Sequence, residues 1–262
     1  MNDHVLARRA GAALALASLL AIAGFTVLGS VFEYPQILEE PTGDVLALYR
    51  SQQASVMTWF LVLVVSAGLM APAGLWLGRL ADGRLGRSIA VTGVAAATVQ
   101  VLGLQRWVTL VPDISHDALD PALRSDAEDR FELWHVLLGK VVGETIGYAL
   151  TATFTVLVVV ALSRRGLPRW LAVGGFVSAG LIVTGVAVPL VEVASLTNFA
   201  GYVLWCAWLL AVAVLLWRVD AGGGPVGRAA SLGAAREPAG SARVARSAVP
   251  GVRKTPAPAP PR

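Results

Sequence analysis

Long uncharged apolar runs alternate with short charged segments along this chain. A helix needs about 20 apolar residues to cross roughly 30 Å of hydrocarbon, and six runs meet that length, at about 10–32, 56–78, 88–111, 135–162, 170–191 and 199–217. The pattern predicts an all-α protein, a polytopic transmembrane helical bundle. The first run follows Arg8 and Arg9 but is longer than a signal-peptide core and lacks an A-x-A cleavage site, so it reads as a retained helix. Between runs, 33–55 carries Glu33, Glu39, Glu40 and Asp44 against Arg50, and 79–87 carries Arg79, Asp82, Arg84 and Arg87. The most acidic stretch, 113–134, holds seven carboxylates against Arg124 and Arg130, and it reads as a flexible acidic loop.

The charges orient the bundle. Cytoplasmic segments of membrane proteins are enriched in Lys and Arg. With the N-terminus inside, the inner side holds Arg8, Arg9, Arg79, Arg84, Arg87, Arg164, Arg165, Arg169 and Arg218. The outer side then holds only Arg50, Arg124 and Arg130, with most of the acids. Both ends are therefore expected in the cytoplasm, and the membrane is expected to be the plasma (inner) membrane.

Composition agrees with the pattern. Of the residues, 56% are apolar and 15% charged, against about half and about a quarter in soluble domains. The single cysteine, Cys206, lies in an apolar run and excludes an internal disulfide or a cysteine metal cage. The net charge of +4 is explained by topology, not by a nucleic-acid partner. Beyond Asp220 the chain turns to Ala, Gly, Pro and Ser, with seven basic residues against Glu237 alone. Residues 221–262 are too poor in large apolar groups to offset chain entropy and read as a disordered cytoplasmic tail. Contact of that tail with anionic lipid is one expectation; an extension without function is the other.

The candidate chemistry lies in charges and polar groups inside the spans. Lys140 and Glu144 stand four residues apart on the fourth span and so share one helical face. Each costs about 2.5–3.5 kcal/mol near a span's centre, which pairing reduces. Gly139, Gly143 and Gly147 form a small-residue ridge beside them, suited to close helix packing. Arg106 on the third span lies at a similar depth and is the expected partner of Glu144, with Lys140 secondary. Gln100 and Gln105 add polarity on the third span, and Glu192 and Asn198 lie at the outer ends of the fifth and sixth. A polar cluster of Arg106, Lys140, Glu144, Gln105 and Asn198 is thus expected in the extracytoplasmic half.

Other features carry less. Trp134 and His135 stand where the fourth span meets the outer interface, an ordinary place for an anchoring tryptophan. His116 with Asp117 and Asp120 lacks the further His or Cys of a metal site. Asp120-Pro121 reads as a helix start, and Ser125-x-x-Glu128 as a capping box for a later one. No H-E-x-x-H, G-x-S-x-G or phosphate-binding glycine loop is present, nor paired histidines for haem. No catalytic residue, cofactor or metal is assigned, and the reading leans away from an enzyme.

An internal echo links the fourth and sixth spans: Glu144-Thr145-Ile146-Gly147-Tyr148-Ala149-Leu150 and Asn198-Phe199-Ala200-Gly201-Tyr202-Val203-Leu204. The preceding spans end near Val111-Pro112 and Val188-Pro189, as a duplicated hairpin would. A wider set of motifs follows in order: Arg106-Trp107 with Val111-Pro112, Gly143-Glu144 with Gly147-Tyr148, Leu167-Pro168-Arg169-Trp170, then Asn198 with Gly201-Tyr202 and Trp205. At these motifs the chain, over about 10–218, resembles the bacterial multi-pass membrane proteins of domain-of-unknown-function family 4386 (DUF4386). The resemblance implies a helical membrane protein and supplies no activity, substrate or catalytic residue.

Two functions stay open. One is a membrane protein that binds, moves or senses a small solute or ion at the polar cluster. The other is a structural or partner-binding membrane subunit, in a homo-oligomer or with another membrane protein, whose buried ion pairs serve packing.

Overall fold

The computed structural model describes residues 2–81, 83–188 and 193–218. The expected disorder of 221–262 and the outer positions of Glu192 and Pro189 lie outside those residues. Among the described residues the chain is helical, with no strand. In chain order the helices are α1 (Asp3–Val31), α2 (Thr42–Ser51), α3 (Gln53–Leu80), α4 (Gly83–Thr109), α5 (Val111–Asp117), α6 (Arg124–Trp134), a π-helix (His135–Ile146), α7 (Gly147–Ser163), α8 (Arg169–Val183) and α9 (Val193–Arg218). Short 3-10 turns span Gln36–Glu39 and Thr184–Ala187.

Six helical stretches among these residues are long and apolar enough to cross a membrane: α1, α3, α4 with α5, α6 through α7, α8 with its 3-10 turn, and α9. Hydrocarbon offers no partner for backbone polar groups, so each crossing must satisfy its own. Each crossing helix packs on its neighbours in the chain, α1 on α3, α3 on α4, α4 on α7, α7 on α8 and α8 on α9; α9 then returns to α1 and closes the ring. Small residues set the closest approaches. A Cβ on Gly74 of α3 would stand 3.0 Å from the Gly93 Cα of α4. At the closure, Trp217 Nε1 donates to the Arg8 carbonyl at 3.2 Å, over the space left by Gly11. The Ser66 hydroxyl bonds the Ala17 carbonyl at 2.7 Å and fixes α3 against α1.

The segments 33–55 and 113–134 depart from the sequence expectation. They are not polar connections or a flexible acidic loop; they fold into a cap over one end of the bundle. Their apolar residues recur every three or four positions, so one face of each short helix can be buried. Val45, Leu46 and Tyr49 of α2, Ile114 of α5, and Ala127 and Phe131 of α6 are buried with Phe32, Phe60 and Trp107 in one cluster. Tyr49 Oη donates to the Trp107 carbonyl at 2.8 Å, Arg50 Nη1 to that of Ser115 at 2.9 Å, and Thr42 Oγ1 to Glu132 Oε1 at 3.0 Å. Asp117, one of the acids beside His116, pairs with Arg130 at 2.6 Å. Asp120 does not begin a helix. Its carboxylate accepts from the Ala122 N–H at 2.9 Å in a turn, and α6 starts at Arg124 with no side-chain cap from Ser125.

Candidate functional site

The fourth crossing is where local structure is least ordinary. Residues His135–Ile146 wind as a π-helix of 12 residues, a form that proteins mostly use as single turns and often at functional sites. Thr145 Oγ1 reaches the carbonyl five residues back, that of Lys140, at 2.9 Å. With hydrogen bonds closing every fifth residue, a step of four falls short of a full turn. The shortfall is small, so residues four apart still share a face: His135, Gly139, Gly143 and Gly147 make the buried row, and Lys140 and Glu144 stand beside it. Lys140 is exposed and Glu144 half-buried.

The glycines of this crossing face α4. Gly139, Gly143 and Gly147 are all buried. A Cβ on Gly147 would meet Gln100 Nε2 at 2.7 Å, one on Gly103 would meet the Gly143 Cα at 2.9 Å, and one on Gly139 would meet Arg106 Nη2 at 2.8 Å. Gln100, Gly103 and Arg106 lie three residues apart and form the facing row. Arg106 is thus laid over a surface that only glycine leaves free.

Arg106 is 5% exposed. Its Nη1 donates to the Gly103 carbonyl, its guanidinium carbon lies 5.2 Å from the centre of the Trp107 ring, and Nε is buried with no partner. No carboxylate among the described residues pairs with it. The expected Arg106–Glu144 ion pair, with Lys140 as second partner, is absent. The reason is local: Arg106 folds back along its own helix to the Gly103 carbonyl, and the row that faces α4 is Gly139–Gly143–Gly147, with Lys140 and Glu144 beside it.

Three further residues complete this centre. Trp107 is fully buried, stacked on Phe60 at 5.0 Å and edge-on to Phe32 at 5.2 Å, and its Nε1 has no partner. His135, one turn before Gly139, lies flat on Phe131 at 5.7 Å, and both ring nitrogens are buried without partners. Phe131 in turn packs on Trp107 at 5.9 Å. Tyr34, on the chain leaving α1, packs on Phe60 at 5.3 Å. Burial pushes its phenol up to about 12, with Arg106 opposing and Glu144 adding to the shift, so both charges act on this hydroxyl.

Asn198 belongs to a neighbouring group. It is buried, donates to the Ile182 carbonyl at 2.7 Å, and shares the space above Gly185 with the Tyr148 ring. Tyr148 meets Tyr202 edge to face at 5.6 Å, and the Tyr202 hydroxyl accepts from Gln100 Nε2 at 3.3 Å. The two echoing tyrosines of the fourth and sixth crossings are therefore in contact. Gln105 is half-buried, and its side chain makes no hydrogen bond among the described residues.

Sequence reasoning missed Trp107, His135 and Tyr34 as parts of the centre. His135 carried a signal, since 135, 139, 143 and 147 form one row of four-residue steps with the glycines. Tyr34 carried none, because only the path of the chain after α1 brings it onto Phe60 of α3 and within reach of the Arg106 charge.

Membrane-length helices ringing a small buried polar group define the class: a multi-pass helical membrane protein. Within that class the chain belongs to the family described as Domain of unknown function (DUF4386), whose profile matches residues 9–213. No curated protein and no solved structure matches the chain.

Proposed function

We propose that this protein binds a small polar solute at the Arg106–Trp107–His135 centre, in the extracytoplasmic half of a bacterial plasma membrane, as a carrier or sensor of that solute. The observation that carries the reading is the set of four buried side-chain nitrogens without partners: Arg106 Nε, Trp107 Nε1 and both of His135. Buried polar atoms in proteins are bonded in about 90% of cases or more, and leaving one bare costs about 1–3 kcal/mol. A concentration of four on three neighbouring residues fits a place that something else occupies. The π-helix beside it and the glycine-lined contact with α4 support the same reading. The outward placement rests on the basic residues, which gather at the opposite end of the bundle from the cap.

The test is a thermal-unfolding screen of the full chain in lipid nanodiscs against a panel of small solutes. At least one should raise the unfolding midpoint, and Arg106→Gln should abolish the rise. If no solute separates parent from variant, the reading falls, and the centre is a packing device of a structural or partner-binding subunit. The contact of Arg106 with its own helix and with Trp107 is what favours that second reading.

A further inference from the structure

Arg106 offers a free edge of defined shape. Of its nitrogens, Nη1 is engaged by the Gly103 carbonyl, whereas Nε is buried without a partner and Nη2 has none among the described residues. Nε and Nη2 are the two nitrogens along one side of the guanidinium, the side that meets a planar oxyanion with two parallel hydrogen bonds. Nη2 stands at the position where a Gly139 side chain would be, so glycine there leaves room for the guanidinium.

The rest of the centre is complementary to an oxyanion. The indole Nε1–H of Trp107 is a donor only, so whatever satisfies it must accept. A neutral imidazole brings one donor and one acceptor. Together these residues supply mostly donors, one fixed positive charge and no carboxylate within pairing distance of it. Glu144 stands near enough for its charge to act on both Tyr34 and Arg106, yet it makes no ion pair with Arg106. A neutral solute would leave that charge without a direct counter-ion in a buried, aromatic-walled place, which is costly. A cation would be repelled.

We propose that the Nε–Nη2 edge of Arg106 holds a small soluble planar oxyanion, of the carboxylate or bicarbonate class, with Trp107 and His135 completing its hydrogen bonds. This rests on the solute-binding reading above and names the chemistry of the solute.

The experiment titrates the full chain, in phosphatidylcholine nanodiscs at constant ionic strength, with sodium acetate, sodium bicarbonate, acetamide and sodium chloride. Acetate or bicarbonate should raise the unfolding midpoint saturably, and acetamide, of the same shape but uncharged, should not. Chloride, charged but without the planar pair of oxygens, should be weaker than acetate. Arg106→Lys keeps the charge and loses the two-nitrogen edge, so it should weaken acetate binding about tenfold or more. Trp107→Phe keeps a ring and removes one donor, and should weaken it by about tenfold. The four-probe comparison on the parent needs no variant to fold. Acetamide or chloride equal to acetate would overturn the proposal, as would unchanged acetate affinity in Arg106→Lys. So would a tightly held phospholipid, retained by the parent and lost in Arg106→Lys, with no response to acetate. If the oxyanions fail while another solute in the wider screen binds, only this proposal falls; if nothing binds, the solute-binding reading falls with it.

Discussion

Arg106 lies where the side chain of residue 139 would be: a Cβ on Gly139 would stand 2.8 Å from its Nη2. One buried cation thereby fixes both the distance between the third and fourth crossings and the identity of a residue on the π-helix. Gly103 and Gly143 repeat the relationship one turn away, with backbone against backbone in place of side chain against backbone.

The first prediction follows directly. Gly139→Ala should cost about 1–3 kcal/mol by overpacking, read from unfolding in micelles. Combined with Arg106→Gln, the cost should be smaller than the sum of the two by more than about 0.5 kcal/mol, because the shared clash is gone. Gly180→Ala is the control. Nothing lies within 4 Å of a Cβ there, so stability should hold or rise slightly.

Glu144 and Arg106 carry opposite charges that act on each other without an ion pair, so their coupling should be weaker than that of a buried pair. Glu144→Gln should cost less than the roughly 3–5 kcal/mol expected for breaking a buried pair. The double substitution Glu144→Gln with Arg106→Gln should depart from the sum of the singles by no more than about 1 kcal/mol. A double variant clearly more stable than that sum would show the two groups meeting in the bilayer after all.

The cap is held partly by one hydroxyl. Tyr49→Phe removes the donor to the Trp107 carbonyl and should destabilise by about 0.5–1.5 kcal/mol. Trp107 fluorescence would report any loosening. An unchanged unfolding midpoint would mean that the aromatic cluster alone seats α2.

Alkaline stability should depend on Tyr34. Its phenol is raised from 10.0 to about 12 in the folded protein, so the folded state keeps a proton that the unfolded chain releases. The stabilising effect is fully present below pH 10 and is lost as pH rises towards 12. The unfolding midpoint of the parent should therefore fall over that window, and Tyr34→Phe should flatten the fall. Tyr49, also raised by burial, should leave a residual slope.

Orientation has its own check. Single cysteines at Asp44 and Ser125, both on the exposed cap, in a Cys206→Ala background, should react with a membrane-impermeant thiol reagent from outside intact cells. Labelling only after lysis would reverse the assignment of sides.

Six crossings were legible because the bilayer imposes a requirement that is local along the chain. Each crossing must carry its own apolar surface and close its own backbone hydrogen bonds, so about 20 uncharged residues announce it. The glycine ridge was legible for the same reason, since small residues at fixed steps on one helix need no knowledge of the partner. The cap, by contrast, was read as polar connections. Its burial depends on Phe32, Phe60, Trp107 and Phe131 coming from four separate parts of the chain.

The sequence by itself determined that this is a multi-pass helical protein, where most of its crossings run, and that polarity inside them concentrates on the third and fourth. Only the tertiary structure decided which of those polar groups meet. That choice depends on how each helix is rotated about its axis, and the rotation of the fourth crossing buries the row His135, Gly139, Gly143 and Gly147. It sends Lys140 outward, leaves Glu144 beside the centre without a partner, and sets Arg106 on Gly139 with His135 and Trp107 as neighbours. A stretch of apolar sequence specifies that it will be a helix; the neighbour it packs against specifies which of its faces becomes a site.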